Sequence, residues 1–283
     1  MTLIRKRKKN TLFKVLIYLS AVVLTLYILG PFLWMFISSI SPEIELISGS
    51  RKWFPSNPTL KRYEALINKV EGARFRTAFF NSLIVATIST ILTMFFGTLA
   101  AYCYARFKFK GKKSMVLGIL FTQMLPGAAI VIPIYLFMSS LNLLDTKVGL
   151  ILVYTGFIMP VAIWILKNYF ISIPQEIEEA AIIDGATTFQ ILFRIIIPLV
   201  TPALFATGLY SFITTWNEFF FALILTGSNS KTIPVAITEF STQGGVDYGM
   251  MCTAGVIGSI IPLVIAIIFK DYLVSGLTAG WAK

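Results

Sequence analysis

The 283-residue sequence contains no histidine and only two cysteines, and both shortages narrow the chemistry available to it. Without an imidazole there is no histidine general base, no serine–histidine triad and no histidine ligand for a transition metal. Cys103 and Cys252 are far apart in sequence and neither belongs to a CxxC pair. We therefore expect neither a disulfide framework nor a zinc site.

Charged residues are also scarce, at 13% of the chain, whereas hydrophobic residues make up 57% and the mean hydropathy is +0.81. A soluble domain of this length cannot cover such a composition with polar surface, so we predict an integral membrane protein. The net charge of +11 comes from short Lys and Arg clusters that flank apolar runs. That placement indicates membrane topology and attraction to anionic lipid rather than nucleic-acid binding.

Six apolar runs are long enough to cross a bilayer core, which takes about 20 helical residues each. We predict an all-α integral membrane fold, with six transmembrane helices in one domain covering residues 1–283. The predicted spans are Phe13–Ser38, Thr77–Tyr104, Ser114–Ser139, Val148–Leu166, Pro202–Leu225 and Met251–Phe269. The first follows a basic cluster but is too long for a cleavable signal peptide, whose apolar region has about 7 to 15 residues.

The distribution of Lys and Arg predicts which ends of the spans face the cytoplasm. Of the 24 basic residues, 15 lie in the two tails and in the loops after the second and fourth spans. The positive-inside rule therefore places both tails, about residues 1–12 and 270–283, in the cytoplasm. Seven of the other nine lie in the long loop from Ser41 to Arg76, on the opposite side.

A polar loop, about residues 167–198, separates the fourth span from the fifth. Glu176, Glu178 and Glu179 favour the start of a helix, because the N-terminal end of a helix dipole stabilises carboxylates. Gly185 is suited to end that helix, and either Thr187 or Thr188 is suited to cap a second one. The loop is therefore predicted to form a helix-turn-helix whose small or apolar side chains pack against another surface.

Within this loop, Glu179-Ala180-Ala181 is followed after three residues by Gly185 and, after nine more, by an apolar run ending at Pro198. This pattern resembles the EAA loop of type I ABC-importer permeases. One position departs from the family pattern, since Ile197 stands where the pattern has Leu. The resemblance implies a cytoplasmic coupling helix between spans four and five that docks on an ATP-hydrolysing subunit. The positions that it assigns to coupling are Glu179, Ala180, Ala181, Asp184, Gly185 and Pro198.

Two further stretches are similar to the carbohydrate-uptake, maltose-type branch of that family. One is Trp216-Asn217-Glu218-Phe219, and the other is the C-terminal tail, which in the family reaches between the two ATPase subunits. Trp281 departs from the small residue usual in that tail. The tail positions implied to contact the ATPase are Ser275, Gly276 and Gly280.

The resemblance also implies partners and a location. It implies a second permease as heterodimer partner, an extracytoplasmic sugar-binding protein, and two cytoplasmic ATP-binding subunits that hold ATP and Mg. No cofactor is expected on this chain. The implied location is the bacterial or archaeal cytoplasmic membrane.

Candidate residues for a translocation path or gate come from polarity inside apolar runs. Asn217 and Glu218 lie within the predicted fifth span, where an ionisable group is costly and therefore faces protein or water. Gln123 lies in the third span beside Pro126, one of several prolines expected to kink spans three and four. A purely structural hydrogen bond between helices is the alternative for Glu218, and simple packing is the alternative for the kinks.

Two external loops are long enough to have a role of their own. The loop from Ser41 to Arg76 reads as an extended turn at 53–58 followed by a short amphipathic helix at 60–67. The loop from Thr226 to Tyr248 is polar and contains Gly227, Gly244 and Gly245, which predicts a flexible finger. Either loop is a docking surface for an external partner or an ordered connector.

The source of energy separates the remaining functional classes. No phosphate-binding loop is present, because Arg106 occupies the position of the upstream glycine before Gly111-Lys112-Lys113-Ser114. The chain is therefore predicted to be a non-catalytic permease subunit whose partners hydrolyse ATP. The alternative is an ion-coupled secondary transporter, but no internal repeat is evident and Glu218 is the only carboxylate well inside a span. A membrane enzyme is poorly supported without histidine or clustered carboxylates.

Overall fold

A computed structural model describes residues 2–48, 53–68, 72–242 and 245–270 of the chain. Its helices are α1 (Thr2–Ile40), α2 (Glu43–Ile47), α3 (Lys61–Asn68), α4 (Ala73–Arg106), α5 (Lys112–Thr122), α6 (Gly127–Ser140), α7 (Lys147–Ser172), α8 (Glu176–Ile183), α9 (Thr188–Ile191), α10 (Ile197–Leu199), α11 (Thr201–Trp216), α12 (Phe220–Leu225), α13 (Ile233–Thr238) and α14 (Tyr248–Ile268). A π-helical turn, Leu192–Ile196, joins α9 to α10. The strands β1 (Ser241–Thr242) and β2 (Gly245–Val246) pair antiparallel.

The long helices reproduce the predicted spans. Four are long and apolar enough to cross a membrane by themselves, namely residues 13–40 of α1 together with α4, α7 and α14. Two bent pairs reach span length together: α5 with α6 at 96°, and the Thr188–Leu199 segment with α11 at 80°. The described residues therefore hold up to six spans, which confirms the predicted layout.

The chain divides into two compact units, and the first comprises residues 1–73 and 237–259. In the segment between the first two spans, α3 confirms the predicted amphipathic helix. The Tyr63 hydroxyl lies 2.6 Å from the Ser39 hydroxyl, and an Arg62 guanidinium nitrogen donates to the Ser41 carbonyl at 2.6 Å. These contacts tie α3 to the end of α1, so this part of the loop between the first two spans is ordered.

The second unit comprises residues 74–236 and 260–283, of which the structure describes those up to 270. It contains two apolar clusters, and α4 and α7 contribute to both: Val85 and Leu150 belong to one, and Ala101 and Leu166 to the other. Small residues let these two helices approach closely, as at Gly97, where an added Cβ would touch Ala162. Because lipid tails are as apolar as these side chains, such close packing rather than water exclusion holds the helices together.

The third and fifth spans are more interrupted than the sequence predicts. The third breaks between α5 and α6, at residues 123–126, which agrees with a proline-induced bend at Pro126. Pro133 and Pro160, by contrast, lie inside the continuous helices α6 and α7. The fifth span is not the continuous helix expected for Pro202–Leu225, because α11 ends at Trp216 and α12 begins only at Phe220.

Candidate functional site

The polar loop between spans four and five folds as the predicted helix-turn-helix. Helix α8 has the three glutamates in its first turn, and its C-terminal turn is closed by Gly185 with a φ of +82°. An L-residue adopts that conformation only at a cost, whereas glycine adopts it freely. An added Cβ at Gly185 would have no heavy atom within 4 Å, so the requirement for glycine comes from the backbone alone.

The second helix is capped by Thr187, which settles the choice between the two threonines. The Thr187 hydroxyl accepts from the Gln190 N–H, and the Thr187 N–H donates to the Gln190 side chain at 2.8 Å, which completes a capping box. Beyond it, the π-helical turn brings the Ile197 N–H to the Leu192 carbonyl. Pro198 follows directly and has no N–H to continue a regular α-helical ladder, so the wider turn suits this position.

The two alanines of the EAA-like motif lie on different faces of α8. Ala180 is exposed, as are Glu179 and Asp184, whereas Ala181 is only 8% exposed and packs into the apolar cluster of this chain. The expectation that both alanines face a docking surface is therefore wrong for Ala181. The exposed apolar surface of α8 includes Ile177 and two residues that the sequence did not single out, Ile182 and Ile183, the latter 86% exposed.

A buried ion pair attaches α8 to the end of α4. Arg106 Nε donates to the Glu178 carboxylate at 2.5 Å, and the side chains of Arg106 and Glu178 are 9% and 11% exposed. The Tyr102 hydroxyl donates to the other Glu178 oxygen at 2.8 Å, and a second Arg106 nitrogen donates to the Ile173 carbonyl at 3.1 Å. We refer to Tyr102, Arg106 and Glu178 as the inner triad.

Helical spacing explains why Glu178 is buried, but the sequence alone does not identify which face of α8 is the buried one. Residues three apart on a helix lie on the same face, so Glu178 shares a face with the apolar-side Ala181. A carboxylate on a buried face requires a partner. Nothing local identifies that partner, because Arg106 lies 72 residues earlier in the chain.

The three candidate path residues lie at the breaks of spans three and five. The Glu218 carboxylate accepts from the N–H groups of Phe221 at 2.9 Å and Ala222 at 3.1 Å, and thereby caps α12. This contact explains the helix break: orphan N–H groups at a helix start favour a carboxylate acceptor. Glu218 therefore caps a helix start rather than lying within a continuous span. Asn217 is exposed at the end of α11.

Gln123 is linked to α12 by way of Phe157. Its side-chain amide donates to the Phe157 carbonyl at 3.0 Å, and the Phe157 ring lies 4.5 Å from the Phe221 ring. The break that contains Gln123 therefore lies beside the one that contains Glu218, and an added Cβ at Gly127 would touch the rings of Phe220 and Phe221. A cavity of about 380 Å³ opens beside Gln123 and Phe157 and is lined mainly by apolar side chains.

A second polar network lies at the other end of α4 and α7. The Asp145 carboxylate accepts from the backbone N–H groups of Gly227, Asn229 and Ser230 at 2.8 to 3.1 Å, and also from the side chains of Asn229 and Ser230. Burial alone would raise the pKa of Asp145, but these donated hydrogen bonds outweigh it and hold the pKa below its usual value. We refer to Asp145 and residues 227–230 as the outer clasp.

The outer clasp is reinforced from α4. The Asn81 side-chain amide donates to the carbonyls of Asn229 and Lys231 at 3.0 Å each, and the Lys147 ammonium donates to the Asn81 oxygen at 3.3 Å. The Ser82 hydroxyl accepts from the Ile233 N–H at 2.8 Å. The first part of the predicted flexible finger is therefore held to α4 and to Asp145, which lies just before α7, and its other described residues include α13 and the two strands.

Some predicted residues lie outside the described part of the chain. They are Gly244 in the external loop and the tail positions Ser275, Gly276 and Gly280.

A helical membrane protein with up to six spans and a helix-turn-helix between the fourth and fifth is the layout of an importer membrane subunit. The family model for the inner membrane component of binding-protein-dependent transport systems matches residues 93–278. The chain therefore belongs to this family. It is a non-catalytic permease subunit of an ABC importer, and the comparisons do not support an ion-coupled secondary transporter.

Relatives match over almost the whole chain. The trehalose/maltose transport system permease MalG of Thermococcus litoralis is 34% identical, over 98% of this chain and 99% of that protein. The diacetylchitobiose uptake system permease DasC of Streptomyces coelicolor is 33% identical, over 93% of this chain and 95% of that protein.

A solved structure shares the fold at similar coverage. It is a chain of a bacterial ABC transporter involved in the import of the acidic polysaccharide alginate, with 25% identity and a TM-score of 0.75. The match covers 93% of this chain and 96% of that chain. A second, in complex with an alginate pentasaccharide-bound periplasmic protein, is 16% identical with a TM-score of 0.67 over 93% of this chain and 94% of that chain, and it shows the fold alone.

Proposed function

We propose that this permease pairs with a second permease to form the translocation path for a sugar or oligosaccharide. An extracytoplasmic binding protein delivers the sugar, and two cytoplasmic subunits that bind ATP and Mg supply the energy. The relatives named for trehalose/maltose and diacetylchitobiose support the substrate class. The charge distribution supports an orientation with both termini in the cytoplasm of a bacterium or archaeon.

Helix α8 is the coupling element in this proposal, and its exposed apolar tip is the observation that carries it. Ile183 is 86% exposed on a short helix outside the apolar runs, next to the exposed Glu179, Ala180 and Asp184. Exposed apolar side chains rimmed by charges are typical of a protein interface. Gly185 and Pro198 shape the turn and the return to the membrane, and the C-terminal tail is an additional ATPase contact.

The path itself is proposed to pass the paired helix breaks. Interrupted membrane helices expose backbone groups and polar side chains where a substrate crosses. Gln123, Asn217 and Glu218 mark those breaks, and their amide and carboxylate groups are suited to hydrogen-bond sugar hydroxyls. Glu218 also caps α12, so the same carboxylate has both a structural role and the proposed role in transport.

The test of coupling replaces one exposed isoleucine at the predicted inner surface and one at the predicted outer surface. Ile183→Asp is expected to abolish co-purification of the ATPase subunits with the permease pair and to abolish uptake. Ile44→Asp, at a residue 79% exposed on α2, is the matched control and retains co-purification of the ATPase subunits. Wild-type co-purification and uptake in Ile183→Asp would overturn the coupling role of α8.

The substrate class is tested separately in proteoliposomes that contain the assembled importer and its binding protein. Radiolabelled maltose, trehalose and diacetylchitobiose are supplied with ATP, and at least one carbohydrate is expected to accumulate. Failure of a wider oligosaccharide panel, together with uptake of an amino acid or peptide, would overturn the assignment to sugars.

A further inference from the structure

The inner triad connects α8 to a helix that is not its neighbour in sequence. Helix α8 is joined covalently to α7 through residues 173–175, whereas Arg106 belongs to α4. One guanidinium group bonds both the Glu178 carboxylate within α8 and the Ile173 carbonyl in the linker that leads to it. The direction of α8 and the path of its linker are therefore both set by the last residue of α4.

This attachment does more than a packed apolar contact would do. Buried ion pairs are often no more stabilising than apolar side chains of the same size, because both charges lose their water. Their hydrogen bonds are directional, however, and an Arg fork fixes both the distance and the angle of its partners. The inner triad thus makes a joint of defined geometry at the buried Glu178, on a different face of α8 from the exposed Ile183.

Helix α4 is well suited to carry a displacement from that joint. Of the four long membrane helices, α4 alone contains no proline, whereas α1, α7 and α14 contain Pro31, Pro160 and Pro262. Proline is the commonest cause of a bend, so α4 is expected to be the stiffest of them. Asn81 and Arg106 lie 25 residues apart on α4, which corresponds to about 37 Å.

The outer end of α4 holds the segment that the outer clasp orders. Asn81, which is 3% exposed, bonds the carbonyls of Asn229 and Lys231. An axial or rocking displacement of α4 therefore moves the residues that fix the external loop at 229–231. The same helix contacts α8 at one end and the external loop at the other.

We propose that Tyr102, Arg106 and Glu178 are positioning residues that transmit the displacement of α8 through α4 to the external 229–231 segment. This inference rests on the proposed coupling function of α8 and adds a second route beside the covalent link to α7. The triad does not contact the ATPase or the sugar. Its loss leaves the ATPase bound and hydrolysing but reduces the transport obtained for each ATP.

The test measures sugar uptake per ATP hydrolysed in proteoliposomes containing the assembled importer. Glu178→Gln removes the charge but retains an oxygen that accepts from Tyr102, and Arg106→Lys retains the charge but loses the forked contact with Ile173. We expect both variants to co-purify with the ATPase and to lose at least fivefold in maltose or trehalose uptake per ATP. Glu176→Gln, at an exposed glutamate in the same turn, is the matched control and retains the wild-type ratio.

Tyr102→Phe removes a single hydroxyl and provides the test if the charged variants fail to accumulate in the membrane. It is expected to reduce the ratio about twofold, with co-purification unchanged. Wild-type ratios in the triad variants that accumulate would overturn the proposal. Loss of ATPase co-purification would also overturn it, because the triad would then build the docking surface rather than transmit its motion.

The two proposals fail in distinguishable ways. If Ile183→Asp retains the ATPase, α8 is not the docking element and the proposed coupling function fails whatever the triad does. If Ile183→Asp loses the ATPase and the triad variants keep the wild-type ratio, the coupling helix stands and transmission through α4 is wrong.

Discussion

The inner triad and the outer clasp solve the same electrostatic problem in different ways. In the inner triad, Glu178 is neutralised by one opposite charge, Arg106, within a nearly buried pair. In the outer clasp, Asp145 accepts hydrogen bonds from backbone and side-chain donors of one segment, residues 227–230. The inner triad joins separate helices and concentrates its electrostatic stabilisation in one ion pair. The outer clasp shapes one loop and distributes its stabilisation over several weaker bonds.

The largest difference between the two networks is expected when one charge is removed. Arg106→Ala leaves Glu178 without its buried counterion, and breaking such a pair costs about 3–5 kcal/mol. We expect a large fall in the melting temperature of the detergent-solubilised complex, measured by a tryptophan-fluorescence melt. Arg106→Met combined with Glu178→Met removes both charges and is expected to recover most of that loss. Equal destabilisation in the single and double variants would show that the ion pair is not what Arg106 contributes.

The two alanines of α8 provide a second contrast, within the inner region. Ala181→Trp forces a large ring into this chain's apolar cluster, and overpacking of this kind costs about 1–3 kcal/mol. Ala180→Trp places the same ring on the exposed face, where we expect little change in melting temperature but weaker ATPase co-purification. If Ala180→Trp instead lowers the melting temperature and Ala181→Trp instead weakens ATPase co-purification, α8 presents its faces the other way round from the structure.

At the outer clasp, Asp145→Ala is expected to have a moderate effect that extends beyond stability. Orphaned donors cost about 1–3 kcal/mol when buried, and Asp145 has a φ of +52°, which Ala tolerates less well than Asp or Asn. We expect the stimulation of ATP hydrolysis by sugar-loaded binding protein to fall, with basal hydrolysis unchanged. Asp145→Asn keeps a side chain that tolerates positive φ and one acceptor oxygen, so we expect a smaller loss of this stimulation than in Asp145→Ala. If the stimulation in Asp145→Ala is undiminished, the outer clasp has no role in signalling from the binding protein and serves only to connect helices.

The smallest expected effect is the pH dependence of the outer clasp. Because its folded pKa is lowered, Asp145 contributes stability above its unfolded pKa of about 3.9 and loses it as pH falls through the folded value. The clasp should therefore be intact from about pH 5 upward and weaken only below about pH 4. Comparing the melting temperature of wild type and Asp145→Asn over this range isolates the contribution, and identical acid sensitivity would contradict it.

Local patterns in the sequence predict those features of the fold that depend on neighbouring residues. The length of each apolar run predicts a membrane span. The positive φ of Gly185 and the capping role of Thr187 depend only on residues close in sequence. Contacts between distant residues are not encoded in this way. The attachment of Glu178 to Arg106 and of Asp145 to residues 227–230 depends on packing that brings segments together across 72 and more residues.

The predictions for Glu218 and Ala181 were wrong for the same physical reason. Glu218 lies in a run apolar enough to predict a continuous helix, but its carboxylate competes for the backbone and starts a new helix. Ala181 belongs to the EAA-like motif, and the family resemblance implies that it docks on a partner. In the structure, however, Ala181 lies on the same buried face of α8 as Glu178, three residues earlier. In both cases a single carboxylate decides the local geometry, and hydropathy alone does not reveal its partner.

The most direct test of the account is a cross-link from the exposed tip of α8. Cys103 and Cys252 are replaced by serine, and Ile183→Cys is treated with a short thiol-to-amine reagent in membranes that contain the assembled importer. We expect a product with the ATPase subunit and none with the binding protein, whereas Ile44→Cys gives none with the ATPase. A cross-link from Ile183→Cys to the binding protein, or none to the ATPase in an importer that still transports sugar, would contradict both the orientation and the coupling role of α8.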